Sequence, residues 1–275
     1  MTGEQIKQES NVLELYHNDM SVCAQKVRVA LAEKGIAYTA HALNIRAGET
    51  HTPAYRALNP KGVVPTLVVD GVPIVESTII CEYLDDTYPD IPLRPADAMG
   101  RAAMRQWTIR PDAGMHKAFG LLSFAVAFRH QDSSKQMESR SKQSGNSKPS
   151  EAIKDLMSVI EHGLDSPAMG MQIGVIAKVV ADMVARLDDH DWLAGDSFSL
   201  ADIAMLPYVC RLRDLNQCWL WAEGSAAASI GTWLDRCYAR PGYAGIADFL
   251  DAKYIAVMES SGRDAEAKLR VMMAG

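Results

Sequence analysis

Apolar and polar side chains alternate from Asn11 to His17, the period-two spacing of a strand with one buried face. Ser21 then stands where a helix N-cap belongs, ahead of an apolar-rich run to about Lys34 that Gly35 closes. Ile36–Asn44 reads as a second strand, and Thr52–Leu58 as a short helical piece running into Asn59-Pro60. The runs Thr66–Val69 and Val72–Val75 flank Asp70-Gly71, a dipeptide that favours a tight hairpin. Ser77–Tyr88 returns to helical spacing, with Ile79, Ile80, Tyr83 and Leu84 on one face.

That order, βαβαββα with Pro65 ahead of the third strand, predicts an α/β thioredoxin-like N-terminal domain over about residues 10–90. Beyond Pro89, Pro92 and Pro95 the pattern becomes helical, with long 3.6-period stretches at about Ala98–Phe128, Gln172–Asp188, Ala201–Leu215 and Ile230–Tyr238. An all-α C-terminal helical domain over about residues 97–255 follows. Its segment from about 130 to 150 is rich in Ser, Gln and Lys and lacks aromatics. It is expected to form a surface excursion, as a tolerated insertion or as a lid.

Composition narrows the classes. The chain has 275 residues, 48% of them hydrophobic, and a net charge of −6. That balance opposes phosphate tracking, so no nucleic-acid partner is expected. No run of about eighteen apolar residues occurs, so no membrane span is expected. The polar first ten residues carry Glu4 and Glu9 and do not read as a signal or transit peptide. Five cysteines without a Cys-x-x-Cys pair fit reduced thiols in a cytoplasmic protein. No metal-ligand spacing is present, so no metal is expected.

The chemistry begins at Val64-Pro65, followed by Glu76-Ser77 at the head of the next helix. A proline entering a strand, often cis in a tight turn, leaves the preceding backbone free to pair with an extended peptide. Glu76 can pair with an α-ammonium. Ser77 and the helix N-terminus behind it can take an α-carboxylate. The γ-glutamyl peptide these groups suit is glutathione, as a cosubstrate.

The chain resembles the cytosolic glutathione transferases from about Val12 to Asp248. The resemblance rests on the run from Ser21 to Arg28, on Leu58-Asn59-Pro60, Val64-Pro65-Thr66-Leu67, the run from Glu76 to Leu84, and Phe198–Ile203. The head of the first helix is similar to that of the serine-type classes, such as zeta and tau. The runs Glu76–Asp85, Leu93–Asp97 and Arg101–Trp107 resemble the bacterial β-etherases that cleave lignin-derived aryl ethers. This implies thiolate attack on an electrophilic aromatic substrate, giving a glutathione thioether and a phenol. It also implies a dimer, with an identical chain or a paralogous one. A zeta-type isomerase or a general detoxifying transferase is the alternative, and a non-catalytic binding or assembly module with the same fold is another. An isomerase acting on a dicarboxylate would need arginines, for which Arg110 is a candidate.

Within that resemblance Ser21 is expected to stabilise the thiolate. A thiol titrates near ~8.5, and holding it ionised below neutrality takes about 2–3 kcal/mol at ~1.36 kcal/mol per unit. A hydroxyl donating to the thiolate supplies about 1.5–3 kcal/mol, and the helix N-terminus about 0.3–1 kcal/mol more. Asn18 either reaches the same sulfur or forms a turn beside Asp19. Cys23, two residues past Ser21, reads as a packing residue. Val64 is expected to pair with the cysteinyl backbone and Pro65 to fix the bend. His51 and Lys61 are placed for the glycyl carboxylate, although Val63 stands where many relatives carry Gln. The second-substrate pocket is expected from Trp107, Met115, Phe119, Phe124 and Phe128 and from Tyr254 in the tail, although such a stripe also serves as core. Ser199 and Asp202 read as a structural capping box.

Overall fold

The computed structural model describes residues 12–130, 150–222 and 227–274, so nearly all of the polar segment expected at 130–150 lies outside the described residues. Four strands, β1 (Leu13–His17), β2 (Thr39–Ala42), β3 (Thr66–Val69) and β4 (Val72–Val75), form one sheet in the order β2-β1-β3-β4. β1 pairs with β2 in parallel, and with β3 antiparallel. The Asp70-Gly71 turn joins β3 to β4 antiparallel; Asp70 and Gly71 both have positive φ, as the tight turn demands. Strand β2 is shorter than its apolar run suggested and lies mostly exposed at the sheet edge.

Helices α1 (Val22–Glu33), α2 (Pro53–Leu58) and α3 (Ser77–Thr87) complete the thioredoxin-like domain. In α3, Ile80 and Leu84 are fully buried, whereas Ile79 is more than half exposed and so does not share their face. Asp85 near the end of α3 accepts from Lys34 at 2.8 Å and from the Leu93 amide at 2.7 Å, tying the end of α1 to the connector.

The second domain is helical: α4 (Ala98–Thr108), α5 (His116–Val126), α6 (Glu151–His162), α7 (Met169–Leu187), α8 (Leu200–Asp214), α9 (Ala227–Tyr238) and α10 (Ala252–Ala274). The stretch expected as one helix from Ala98 to Phe128 is two. Pro111 cannot donate to the preceding turn, and Gly114, at φ 114°, adopts a conformation closed to other residues, so the chain widens by a turn before α5 resumes. Among the described residues, no single helix is long and apolar enough to cross a membrane.

Helix α8 runs through the core, buried along nearly its whole length, and packs against α1 and α4. Its start is the expected capping box. Asp202 accepts from the Ser199 amide at 2.9 Å, and also from the Leu193 amide at 3.0 Å and from Trp233 at 2.9 Å, so one buried carboxylate ties α8 to α9. Helix α10, absent from the sequence reading except as a tail, crosses the end of α8 at Gly262. A Cβ there would overlap the Leu215 carbonyl oxygen, so only glycine permits this approach.

Candidate functional site

The loop between β1 and α1 is held from below. Arg28 of α1, almost wholly buried, donates to the carbonyls of Asn18 at 3.3 Å, Asp19 at 3.0 Å and Gly245 at 2.8 Å. Its guanidinium also meets Nδ1 of His17 at 3.0 Å and stacks over Phe249 at 4.1 Å. Burial, with the neighbouring Arg28 charge, lowers the His17 pKa to about 4. A neutral imidazole therefore sits under the loop at neutral pH.

Above it, Ser21 caps α1. Its Oγ accepts from the Ala24 amide at 3.3 Å, which leaves the hydroxyl hydrogen for a second partner. The first turn of α1 carries no acidic side chain, so the positive end of the helix is not neutralised locally. Asn18 behaves differently. Its amide donates to the Leu43 carbonyl at 2.9 Å and its oxygen accepts from the Met20 amide at 3.2 Å, which builds the loop. Both bonds belong to the turn, and one amide hydrogen is left over.

Cys23 points to the other domain. Its sulfur lies 3.6 Å from Nδ1 of His116 and 3.9 Å from the Tyr208 hydroxyl. Burial pushes this thiol up, but the bond to His116 with the His116 and Lys26 charges outweighs it, and the net direction is down. Through these contacts it joins α1 to α5 and α8.

The Val64–Pro65 peptide is cis. The Tyr55 hydroxyl and the Asn59 amide both donate to the Val63 carbonyl, at 2.6 and 2.9 Å, and so fix the loop that delivers Val64 to the sheet. Glu76 has φ 69° and ψ 111°, an unfavourable backbone for a residue with a Cβ. Its carboxylate meets Lys61 at 2.6 Å. Lys61 is thus drawn toward Glu76 and away from the loop-side position expected of it, in a solvent-exposed pair that contributes little. His51 lies against Gly62 in the same loop, and its Nδ1 is 3.4 Å from Arg56.

Ser77 has a partner that sequence reasoning missed. Lys26 of α1, 1% exposed, donates to Ser77 Oγ at 3.1 Å and to Thr78 Oγ1 at 3.0 Å. Thr78 passes its own hydrogen to Asp112 at 3.2 Å. An ammonium can only donate, so Ser77 must accept from it and aim its hydrogen elsewhere. In sequence Lys26 is a lysine five residues past the Ser21 cap, indistinguishable from a solvated one.

Between the domains lies a cavity of about 740 Å³ lined by Ser21, Asn18 and Val63 on one side and Phe119, Phe124 and Tyr254 on the other. Phe119 and Tyr254, both expected around the second substrate, line this cavity. Trp107 and Met115 are not on this wall. Both are buried in the helical core, and Trp107 carries the Arg110 guanidinium at 4.0 Å. Arg110 is also engaged, with Asp182 at 2.8 Å, and does not line the cavity.

Two family models match the chain: "Glutathione S-transferase, N-terminal domain" over residues 20–87 and "Glutathione S-transferase, C-terminal domain" over residues 172–241. The chain belongs to the glutathione S-transferase family. Among curated proteins it is similar to Protein LigF of Sphingobium sp., 27% identical over 239 residues, covering 83% of this chain and 90% of that one. It is also similar to the probable maleylacetoacetate isomerase of Caenorhabditis elegans, 37% identical over 107 residues, but this covers 39% of this chain and half of that protein. Among solved structures, beta-etherase LigF superposes with a TM-score of 0.68 at 26% identity, over 86% of this chain and 98% of that one. Glutathione transferase F7 of Populus trichocarpa, at 24% identity and a TM-score of 0.64 over 87% of this chain and all of that one, shares the fold.

Proposed function

We propose that this glutathione S-transferase family member uses glutathione to cleave β-aryl ethers of the lignin-derived type. The observation that carries the reading is Ser21. Its hydroxyl keeps a free hydrogen while capping α1, at the edge of a cavity whose far wall is aromatic. Glutathione lies extended along the loop before β3, its cysteinyl backbone on Val64 and its bend matched by Pro65. Its γ-glutamyl ammonium replaces the Lys61 ammonium on Glu76, an exchange made easy by the exposure of that pair. Its α-carboxylate takes the Ser77 hydroxyl hydrogen, with the Lys26 charge behind it. Displaced from Glu76, Lys61 turns with His51 toward the glycyl carboxylate.

The sulfur then sits at Ser21 and the α1 terminus, which hold it as a thiolate. It attacks the carbon bearing the aryloxy group in line. The C–S bond forms as the C–O bond breaks, and the phenolate leaves with the bonding pair and takes a proton from water. Positioning and thiolate stabilisation supply the catalysis. The resemblance to LigF over most of both chains supports the ether reading. The isomerase reading rests on matches to about half of those proteins, and Arg110, offered for a dicarboxylate, is held by Asp182. Pairing into a dimer would cover exposed apolar side chains such as Ile79, Met99 and Ile109 on and around α3 and α4.

Incubation with glutathione and a β-aryl ether ketone tests the reaction. The expected result is phenol release with one glutathione consumed per phenol. Turnover of a dicarboxylate without net glutathione consumption would replace it with the isomerase reading.

A further inference from the structure

Arg211 of α8 is 6% exposed and lines the cavity, yet among the described residues no acid pairs with it. Its NH1 donates to Ser123 Oγ at 3.3 Å and its NH2 to the Met20 carbonyl at 2.6 Å, one residue before Ser21. Both of those residues line the cavity as well. Its Nε is buried without a hydrogen-bond partner. Phe128 covers one face of the guanidinium at 5.1 Å. Asp214, the neighbouring acid, is engaged by Arg213 at 2.7 Å. Three acids line the cavity wall and each has another partner: Glu49 accepts from the Asn44 amide at 2.7 Å, Asp251 from the Lys253 amide at 2.8 Å, and Asp19 lies 3.5 Å from Nδ1 of His17.

A desolvated guanidinium bonded only to neutral groups is costly, and an unmet N–H beside it adds to that cost. Such a group is retained where something else supplies the acceptor. Its fork is planar and suits an sp² oxygen. It is anchored to the Ser21 loop through the Met20 carbonyl and lines the same cavity as Ser21.

We infer that Arg211 is a specificity-determining residue that binds a carbonyl or carboxylate oxygen of the second substrate. This rests on the glutathione reading. It narrows the substrate to aromatics that carry such an oxygen, either as a ketone beside the reacting carbon or as a carboxylate further out.

Two pairs of glutathione thioethers test it by calorimetry. S-phenacylglutathione and S-(2-phenylethyl)glutathione differ by a ketone; S-(4-carboxybenzyl)glutathione and S-benzylglutathione differ by a carboxylate. Wild type should bind the oxygen-bearing member of at least one pair about tenfold or more tightly, the effect of a hydrogen bond to a charged donor. Which pair responds separates the ketone from the carboxylate. Arg211→Met should bind both members of that pair equally, whatever its absolute affinity for them, with an unaltered far-ultraviolet circular dichroism spectrum as the check on folding. Arg211→Lys should recover part of the preference. Equal affinities within both pairs in wild type overturn the inference without any variant, as does a preference that survives in Arg211→Met. If S-benzylglutathione itself fails to bind wild type, the glutathione reading falls first, and the inference with it.

Discussion

Replacing Lys26 by Met removes a buried charge while keeping the length of the side chain. The ammonium sits 3.1 Å from Ser77 Oγ. A ligand carboxylate bonded to that hydroxyl at about 2.7 Å would lie about 5 Å from the ammonium once the bend at oxygen is allowed for. At an effective dielectric of about 20, that attraction is about 3 kcal/mol, equivalent to about 200-fold in affinity. Losing Lys26 also frees Ser77 to turn its hydrogen inward, which adds to the effect. The fold should not suffer, because Lys26 is bonded to hydroxyls rather than to a carboxylate that would be left unpaired. Titration calorimetry should therefore show glutathione binding weakened by about two orders of magnitude. Turnover at saturating glutathione should change little, since Lys26 acts on binding rather than on the sulfur. The γ-aminobutyryl analogue, which lacks the α-carboxylate, should bind wild type and variant alike. Equal losses for glutathione and the analogue would refute the placement of the carboxylate at Ser77.

Two further outcomes concern the scaffold. The His17 pKa, lowered to about 4 from 6.5, means the unfolded chain binds a proton that the fold refuses. This contribution is complete above pH 6.5 and disappears as the pH falls toward 4, about 3 kcal/mol in all; urea denaturation across that window should show it, and His17→Gln should flatten the slope. Gly262→Ala forces a Cβ onto the Leu215 carbonyl, and the overlap should lower stability by about 1–3 kcal/mol as α10 moves outward; an unchanged denaturation midpoint would mean that α10 does not lie where it is described.

Much of the architecture was written in periodicity. Alternation gave β1, Asp70-Gly71 gave the hairpin, and Ser199 with Asp202 marked the start of α8. What escaped were features set by tertiary contact. Helix α6 went unread although Ile153, Leu156 and Ile160 recur at helical spacing, because it follows a polar segment and fully buries little beyond Val159. Helix α10 depends on the close crossing at Gly262, which spacing does not reveal. Among the candidate site residues, the backbone settings of Ser21, Val64, Pro65, Glu76 and Ser77 were legible because local sequence defines a helix start or a proline turn. The aromatic stripe was ambiguous for a physical reason: Trp107, before the break at Gly114, and Met115, just after it, share its spacing with Phe119 but turn into the helical core and not toward the cavity. Lys26, Arg28 and Arg211 were opaque because a buried cation looks, in sequence, like a solvated one.

The central claim is that the Ser21 hydroxyl holds the sulfur of glutathione as a thiolate, and the most direct test is the titration of that thiol in the complex, followed by thiolate ultraviolet absorbance. Wild type should ionise the bound thiol below neutrality. Ser21→Ala should raise its pKa by about 1–2 units, the equivalent of one hydrogen bond to a charged acceptor. Ser21→Asp keeps an acceptor for the Ala24 amide but offers no hydrogen, so it should cap α1 normally and still raise the pKa. A bound thiol that titrates at the same pH in wild type, Ser21→Ala and Ser21→Asp would contradict the account.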